Sequence, residues 1–263
     1  MTPPLRIGVS LKMYFGHTRA RDWLRAVSTR LGAHPALVAV EVELFVIPSF
    51  VAIPDAVSAF AGTPIVVGAQ DVASTGLGAF TGEVSAVELA EAGARMVEIG
   101  HAERRRLFGE DDGVVAAKTH QALAHGLVPV LCIGEERPGP PAEALTEVLA
   151  QLRSALRDAP DGRVVVAYEP VWAIGAAEPA PVAHIRAVCR GLQEALSALD
   201  ARPDSGVIYG GSAGPGLLTA LGDDVDGLFL GRFAHDVDAL AAVVDEAARR
   251  VRSTGSAIPA VER

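Results

Sequence analysis

Eight short runs rich in valine and isoleucine recur along the chain of 263 residues, and this regularity constrains the fold more than any other feature. Most of the runs are almost continuously apolar, which is typical of parallel strands covered on both faces. The segments between them have helical spacing, as where Trp23, Val27 and Leu31 fall on one helix face. The eight runs are Ile7–Lys12, Leu37–Ile47, Ile65–Gln70, Met96–His101, Val128–Gly134, Val164–Glu169, Gly206–Gly211 and Val225–Gly231.

This alternation predicts an α/β fold in which eight parallel strands, each followed by a helix, close into a (β/α)₈ barrel. An open, doubly wound sheet is the alternative, because the number of strands does not show whether the sheet closes. No long polar stretch divides the chain, so we predict a single domain over residues 1–263. Residues 253–263 lack helical spacing and are expected to form a frayed tail.

Composition and charge narrow the class of protein. The formal net charge of −9 argues against broad binding to nucleic acids or anionic membranes, which requires a positive surface. No apolar run is long enough to span a membrane, and the N-terminal residues lack the pattern of a secretion signal. Cys132 and Cys189 both lie in apolar segments, which favours buried free thiols in a reducing compartment. We therefore expect a cytoplasmic protein that binds neither nucleic acid nor membrane.

Polar or charged residues stand at the C-terminal ends of the apolar runs. In a (β/α)₈ barrel those ends meet at one mouth, where active sites are built. Strand ends are commonly polar for no functional reason, and that explains one or two such residues. A lysine, a histidine and a glutamate on three different strands favour a catalytic site instead. The residues are Lys12, Gln70, His101, Glu135, Glu169, Ser212 and Arg232.

Glu169 ends one run and is followed at once by Pro170 and an apolar segment. The proline fixes its own φ and restricts its predecessor, so the carboxylate is held on a stiff backbone. Trp172 and Ile174, if folded over the mouth, would exclude water and raise the basicity of Glu169. A glutamate without such neighbours would more often form a surface ion pair. The apolar segment that follows Glu169 favours a catalytic base instead.

His101 and Lys12 are the other two candidates for catalysis. His101 precedes a predicted helix start at Ala102, and the positive end of a helix disfavours the charged imidazolium. A neutral ring N–H can then polarise a carbonyl, although single histidines are more often structural. Lys12 is a lone cation at the end of the first run, and facing an anion would offset the cost of burying it. Extension of its side chain to the barrel rim is the alternative.

The last two runs end in glycine-rich segments, YGGS at 209–212 and LFLGR at 228–232. Glycines let backbone N–H groups approach an anion closely, and barrels often bind phosphate after strands seven and eight. Glycine is also the commonest turn residue, so the pair alone is weak support for a phosphate site.

These motifs, taken in order, resemble those of the triosephosphate isomerases from Ile7 to about Val251. The resemblance implies a TIM barrel that interconverts an aldose phosphate and a ketose phosphate, acts as a homodimer, and uses no cofactor and no metal. The 78–86 and 167–175 stretches are long and specific to that family. The matching stretches are LKM at 11–13, GAQDV at 68–72, GAFTGEVSA at 78–86, IGHAERR at 99–105, LCIGE at 131–135, AYEPVWAIG at 167–175, YGGS at 209–212 and VDGLFLG at 225–231.

The resemblance also implies roles for individual residues. Glu169 is expected to take a proton from carbon, His101 to act as the neutral electrophile, and Lys12 to hold the phosphate and the enediolate. Glu103 is expected to pack beside these groups, and Thr81 to reach into the partner subunit. The expected lid residues are Pro170, Val171, Trp172, Ala173, Ile174 and Ala176. The expected substrate-binding residues are Ser10, Gly175, Gly210, Gly211, Ser212, Gly231 and Arg232.

Four departures from the family pattern affect the expected site. Ser10 stands where the family has asparagine, and Ala102 where it has serine. Residues 175–178 read GAAE in place of the typical GTGK, and Arg232 replaces the second glycine after strand eight. Arg232 could bind phosphate as a bidentate donor or narrow the pocket, while Ser10 opens space near Lys12. We expect altered substrate specificity with unchanged chemistry.

Three hypotheses for function follow. The first is a triosephosphate isomerase that interconverts dihydroxyacetone phosphate and D-glyceraldehyde 3-phosphate through an enediol(ate). The second uses the same residues on a four-carbon sugar phosphate, such as L-erythrulose 1-phosphate and D-erythrulose 4-phosphate, and is motivated by Ser10 and Arg232. The third is a non-catalytic barrel that binds a phosphorylated metabolite, which the intact set of Glu169, His101 and Lys12 disfavours.

Overall fold

In a computed structural model that describes residues 3–255, each predicted apolar run contributes a parallel strand, and the strands pair in chain order into a closed barrel. Pairing of the first strand with the last, with Arg6 opposite Gly227, closes the barrel. The (β/α)₈ prediction is confirmed, and the open-sheet alternative is wrong. The strands are β1 Leu5–Ser10, β2 Val42–Ile47, β3 Val66–Ala69, β4 Met96–Ile99, β5 Val128–Ile133, β6 Val165–Tyr168, β7 Gly206–Tyr209 and β8 Gly227–Leu230.

Helices connect the strands and cover the outside of the barrel. The predicted stripe on the first helix is buried at Trp23, Val27 and Leu31. The α-helices are α1 His17–Leu31, α2 Pro35–Val38, α3 Ile53–Ala59, α4 Ala86–Glu91, α5 Ala102–Phe108, α6 Asp112–Ala124, α7 Pro141–Ala155, α8 Val182–Ser197, α9 Leu217–Leu221 and α10 Val237–Gly255. Short 3₁₀ turns cover Phe50–Ala52, Val171–Ala173, Gly222–Asp224 and Arg232–His235.

Two predicted boundaries differ from the structure. The run that begins at Leu37 starts with the short helix α2, and its strand begins only at Val42. Pro35 occupies the first turn of α2, where its missing N–H costs nothing, and the His34 ring accepts a hydrogen bond from the Ala36 N–H. At the other end, α10 includes the first three residues of the predicted tail, and residues 256–263 lie outside the described residues.

The inside of the barrel is filled by apolar side chains below the mouth. Phe45 and Phe229 stack there with ring centroids 6.0 Å apart, and a Cβ at Gly8 would overlap both rings. Successive side chains of a strand point to opposite faces, so Ser10, two residues after Gly8, also faces inward. The interior cluster consists of Phe45, Ile47, Met96, Val130, Cys132, Val165, Ala167, Ile208 and Phe229.

Two further sequence predictions are tested by the described part of the chain. Cys132 and Cys189 are both buried free thiols, as predicted. Within residues 3–255, no helix has both the length and the apolar character needed to cross a bilayer.

Candidate active site

Lys12, His101 and Glu169 come from three strands and lie together at the carboxyl end of the barrel. Lys12 Nζ is 2.8 Å from His101 Nε2, which is 3.5 Å from Glu169 Oε2. Lys12 lies two residues beyond β1 with a φ of 47°. This left-handed conformation is uncommon for a residue with a side chain, and such strain concentrates at functional sites. The structure therefore brings together the three residues that the sequence selected.

Glu169 is a buried carboxyl group with raised basicity. Its side chain fits beside Gly210, where a Cβ would overlap it. Burial raises the pKa of Glu169 to about 8, against the opposing effect of Lys12 and with an added contribution from Glu98. The pKa changes in the predicted direction, although of the two residues expected to cover Glu169 only Ile174 lines the cavity. A base with a pKa near the working pH is well matched to proton transfer.

His101 caps the N-terminus of α5, which begins at Ala102 as predicted. Its Nδ1 accepts a hydrogen bond from the Glu103 N–H at 3.1 Å. Since Nδ1 is the acceptor, the proton of the neutral ring lies on Nε2, which faces Lys12 and Glu169. Burial, and then the charge of Lys12, lower the pKa of His101 to about 4. The ring is neutral, as predicted. Burial and the charge of Lys12 lower its pKa, whereas the sequence predicted that the positive end of the helix would keep the ring neutral.

Lys12 remains a cation despite its burial. Burial by itself would lower its pKa, but Glu169, Glu98 and Glu103 outweigh this and the pKa is raised. Glu103 Oε1 lies 3.3 Å from Lys12 Nζ, as expected of a carboxylate packed beside the site. In this tautomer Lys12 Nζ and the His101 Nε2–H are both donors only 2.8 Å apart, so they do not hydrogen-bond each other, and a substrate oxygen beside them would accept from both.

The lid predicted after Glu169 covers the mouth from one side. Its residues Val171–Ala173 form a 3₁₀ turn, and the Trp172 Nε1–H donates to Glu135 Oε1 at 2.9 Å. The Ser212 hydroxyl donates to the carbonyl oxygens of Ala173, at 3.1 Å, and Ala176, at 2.9 Å. Ser212, in the loop after β7, therefore holds the lid through the lid's backbone carbonyl groups.

Arg232 lies at the rim, directly after β8. Its guanidinium carbon is 5.9 Å from the centre of the Tyr14 ring. Its Nη2 would be 4.0 Å from a Cβ at Gly175, whose φ of 72° is left-handed. Arg232 thus lies between the loop after β1 and the end of the lid.

An open cavity of about 1130 Å³ fills the mouth. The predicted residues that line it are Ser10, Lys12, Glu103, Glu169, Val171, Ile174, Gly175, Ala176, Gly210, Ser212, Gly231 and Arg232. Those that do not line it are His101, Pro170, Trp172, Ala173, Gly211 and Thr81. Thr81 is exposed on the loop between β3 and α4. Among the described residues, no group of three or more histidine, cysteine or acidic side chains could hold a metal ion.

Glu98 is a site residue that the sequence predictions missed. It follows Met96, an interior residue of β4, by two positions and so faces the barrel interior. Its Oε2 accepts a hydrogen bond of 2.7 Å from the Ser10 hydroxyl. Burial raises the pKa of Glu98 to about 7, opposed by Lys12 and Ser10. The available signal was a glutamate inside an apolar run, in phase with the inward-facing positions.

A second buried charge cluster, also missed, lies beside the site. Lys118 Nζ is 2.6 Å from Asp71 Oδ1 and 2.5 Å from Glu110 Oε1. Arg104 contacts the same two carboxylates, at 2.9 Å and 2.7 Å respectively. We call these four residues the paired network.

Comparison with known proteins places this site in a family. The family model described as triosephosphate isomerase matches residues 5–247. The chain belongs to the triosephosphate isomerase family. A crystal structure of triosephosphate isomerase from Bartonella henselae superimposes with a TM-score of 0.77 at 27% identity, covering 95% of this chain and 100% of that chain.

Two kinds of relative occur within this family. An L-erythrulose-1-phosphate isomerase of Pectobacterium atrosepticum is 51% identical over 92% of this chain and 95% of its own length. A triosephosphate isomerase of a Roseiflexus species is 38% identical over 93% of this chain and 97% of its own length. An L-erythrulose-1-phosphate isomerase of Mycolicibacterium smegmatis is also 38% identical. The chain is therefore an isomerase of the triosephosphate isomerase type.

Proposed function

We propose that this protein interconverts L-erythrulose 1-phosphate and D-erythrulose 4-phosphate by proton transfer between adjacent carbons. The observation that carries the proposal is the 51% identity to the Pectobacterium atrosepticum L-erythrulose-1-phosphate isomerase, against 38% to the Roseiflexus triosephosphate isomerase. Triose phosphate isomerisation is the second candidate, because the family model matches residues 5–247.

Both candidate substrates present the same reacting atoms. Each has a phosphorylated CH₂ group, then a carbonyl carbon, then a carbon that bears a hydroxyl group and a hydrogen. The triose carries a second hydrogen on that last carbon, whereas the tetrulose carries a hydroxymethyl group. One set of catalytic residues therefore serves either skeleton, and the enzyme must select between them by the group at the far end from the phosphate.

Proton transfer is assigned to the three central residues. Glu169 removes the proton from the hydroxyl-bearing carbon, and the C–H electron pair becomes the C=C bond of an enediolate. The negative charge on the former carbonyl oxygen is stabilised by the His101 Nε2–H and by Lys12. A proton passes between the two oxygens, and Glu169 returns its proton to the neighbouring carbon. For a tetrulose phosphate, substrate and product are both ketoses.

The phosphate is assigned to the loops after β6, β7 and β8. Gly175, Ser212 and Gly231 line that side of the cavity together with Arg232. The Arg232 guanidinium can donate two parallel hydrogen bonds to a phosphate that reaches the rim. Because both candidate substrates carry the same phosphate, Arg232→Gly should raise KM for both of them. Residues 170–176 are assigned as the lid that closes over the bound substrate.

The assembly and location that we propose are a homodimer in the cytoplasm. Apolar side chains are exposed around Thr81 and near Lys12, with Leu77 74%, Phe80 49% and Met13 94% exposed. An exposed apolar surface of this kind is a common protein interface, and soluble homo-oligomers are most often two-fold dimers. Light scattering on the purified protein tests the dimer; a monomer at micromolar concentration would contradict it.

Measured turnover tests the proposed substrate. The purified protein is assayed with L-erythrulose 1-phosphate, D-erythrulose 4-phosphate and D-glyceraldehyde 3-phosphate under identical conditions. We expect kcat/KM for the tetrulose phosphates to exceed that for the triose phosphate by about a hundredfold or more, since a site built for a hydroxyl group rejects a substrate without it. Equal or faster turnover of the triose phosphate would support the second candidate. No turnover of any of the three would support the non-catalytic barrel.

A further inference from the structure

The hydrogen bond between Ser10 and Glu98 crosses the inside of the barrel. Ser10 ends β1 and Glu98 lies on β4, and β2 and β3 separate these strands around the barrel wall. Both residues face inward, and only 3% of Ser10 and 4% of Glu98 is exposed. Ser10 lines the cavity, and the bond of 2.7 Å places Glu98 directly behind it.

The Glu98 carboxyl group has unused hydrogen-bonding capacity. Ser10 is its one hydrogen-bond partner among residues 3–255, and within the same residues no lysine or arginine forms a salt bridge with it. A carboxylate can accept about four hydrogen bonds, so most of its capacity is free. A buried group of this kind is costly unless a ligand or water completes its hydrogen bonds. Glu169, His101 and Lys12 already account for proton transfer, so Glu98 is free for another role.

The orientation proposed for the substrate places the group farthest from its phosphate near Ser10 and Glu98. The loops after β6, β7 and β8, to which the phosphate is assigned above, line one side of the cavity. In the proposed reaction the reacting carbons contact Glu169 and His101, whose side chains lie 3.5 Å apart. Glu98 stands three residues before His101 on the same strand, and Ser10 two residues before Lys12. The group farthest from the phosphate therefore points toward Ser10 and Glu98.

We propose that Ser10 and Glu98 form a subsite for the terminal hydroxymethyl group of a four-carbon substrate, a role that presupposes the function proposed above. The substrate hydroxyl donates to the Glu98 carboxylate, which the Ser10 hydroxyl holds in place through its own hydrogen bond. In a triose phosphate a hydrogen atom replaces the hydroxymethyl group, which leaves Glu98 without that partner. Ser10 and Glu98 are thus specificity residues, whereas Arg232 serves any substrate with the same phosphate.

Replacing the carboxyl group tests the subsite. Glu98→Leu removes every polar contact, and Glu98→Gln keeps the shape and part of the hydrogen bonding. We expect Glu98→Leu to lower the ratio of kcat/KM for L-erythrulose 1-phosphate over D-glyceraldehyde 3-phosphate by about tenfold to a hundredfold, with partial recovery in Glu98→Gln. A change in the basicity of Glu169 affects both substrates alike, so the ratio isolates recognition of the hydroxymethyl group.

Two further variants keep the test decisive. Ser10→Ala removes the partner hydroxyl with a minimal change of volume, and it should lower the same ratio if Glu98→Leu does not fold. Ile47→Val is the matched control, since Ile47 is the inward-facing residue paired with Ser10 in the sheet. It should leave the ratio within about twofold, as expected for the loss of one methylene from an apolar contact.

The outcomes separate the subsite from the proposed function. If the unmodified protein does not isomerise a tetrulose phosphate, the proposed function fails before any variant is compared. If the unmodified protein prefers the tetrulose phosphate but Glu98→Leu and Ser10→Ala keep its substrate ratio, the function stands and the subsite is wrong. A loss of preference equal to that in Ile47→Val would likewise contradict a specific role for Glu98.

Discussion

Two buried groups of charges lie side by side in this barrel, and they are built in opposite ways. In the paired network, Lys118 and Arg104 each contact both Asp71 and Glu110, at distances of 2.5–2.9 Å. At the mouth, Lys12 faces the buried carboxyl groups of Glu98 and Glu169 without forming a salt bridge to either among the described residues. Each carboxylate of the paired network thus has a close cation, whereas at the mouth Lys12 forms its salt bridge with the half-buried Glu103.

The difference shows how a single fold separates stability from chemistry. Removing one partner of a buried ion pair leaves an uncompensated charge, so a paired network resists change and holds its helices in place. A buried carboxyl group without a close cation instead has a raised pKa, and it becomes a stronger base when it ionises. The charges at the mouth therefore carry the reactivity. A substitution in either the mouth or the paired network can be compared with one in the other.

The largest expected effect is on catalysis, from Glu169→Gln. Loss of the base should lower kcat by about 10³-fold on every accepted substrate, within the range expected for removing a general base. The midpoint of thermal unfolding should stay the same or rise, because a buried ionisable group has been replaced by a neutral one. Steady-state kinetics and thermal denaturation on the same preparation measure both. A kcat within tenfold of the unmodified protein would remove Glu169 from its assigned role.

The reverse pattern is expected from Glu110→Gln in the paired network. The substitution leaves Lys118 and Arg104 short of one charge partner, so the free energy of unfolding should fall by about 3 kcal/mol. The folded enzyme should keep its kcat within about threefold, because the ion pairs of Glu110 are with Arg104 and Lys118 and not with the groups assigned to proton transfer. Urea denaturation measures the free energy of unfolding, and steady-state kinetics measure kcat. A large loss of kcat without loss of stability would mean that the network takes part in the chemistry.

A smaller and pH-dependent effect on stability is expected from Glu98→Gln. The pKa of Glu98 is raised from its ordinary 4.5 to about 7 in the folded protein. The stability that this group contributes is therefore complete below pH 4.5 and is lost as the pH rises through about 7. The neutral glutamine avoids that loss, so the variant should be more stable at pH 8, by up to about 3 kcal/mol. Unfolding at pH 5 should show a much smaller gain; equal gains at both pH values would contradict the assignment.

The smallest expected effect is a displacement of the pH profile. With a pKa of about 8 for Glu169, kcat/KM should rise with pH as this carboxyl group loses its proton. The negative charge of Glu98 raises the pKa of Glu169, so in Glu98→Gln the rise should move to lower pH. Initial rates of the unmodified protein and of Glu98→Gln between pH 5 and pH 9 measure this shift of the kcat/KM profile. An unmoved profile would mean that the two carboxyl groups do not interact.

The same comparison shows what the sequence can predict here. Glu169, His101 and Lys12 were found because they interrupt apolar runs at strand ends, and a closed barrel brings all such ends to one mouth. Glu98 was missed because it lies within a strand and not at its end. The apolar residues around it do not indicate that Ser10, on another strand, is its hydrogen-bond partner. Its bond to Ser10 exists only because closure brings β1 and β4 face to face.

The paired network was missed for a related reason. Asp71, Arg104, Glu110 and Lys118 are ordinary surface residue types by spacing. The burial of Asp71, Glu110 and Lys118 depends on how α5 and α6 pack beside β3. The short helix α2 was missed because its last residues, Leu37 and Val38, join the apolar residues of β2 in one nearly continuous run. Local pattern thus predicts the strands and the catalytic ends, while contacts between distant strands and helices require the three-dimensional structure.

The central claim is that one base moves a proton within a four-carbon skeleton, and isomerisation in D₂O tests it most directly. We expect L-erythrulose 1-phosphate to yield D-erythrulose 4-phosphate with deuterium on the carbon next to the phosphorylated CH₂ group. That carbon receives the proton held by Glu169, which exchanges with solvent at the enediolate stage. NMR of the product locates the label, and Glu169→Gln should form the labelled product about 10³-fold more slowly. Failure to form D-erythrulose 4-phosphate, or deuterium on any other carbon of the product, would contradict the account.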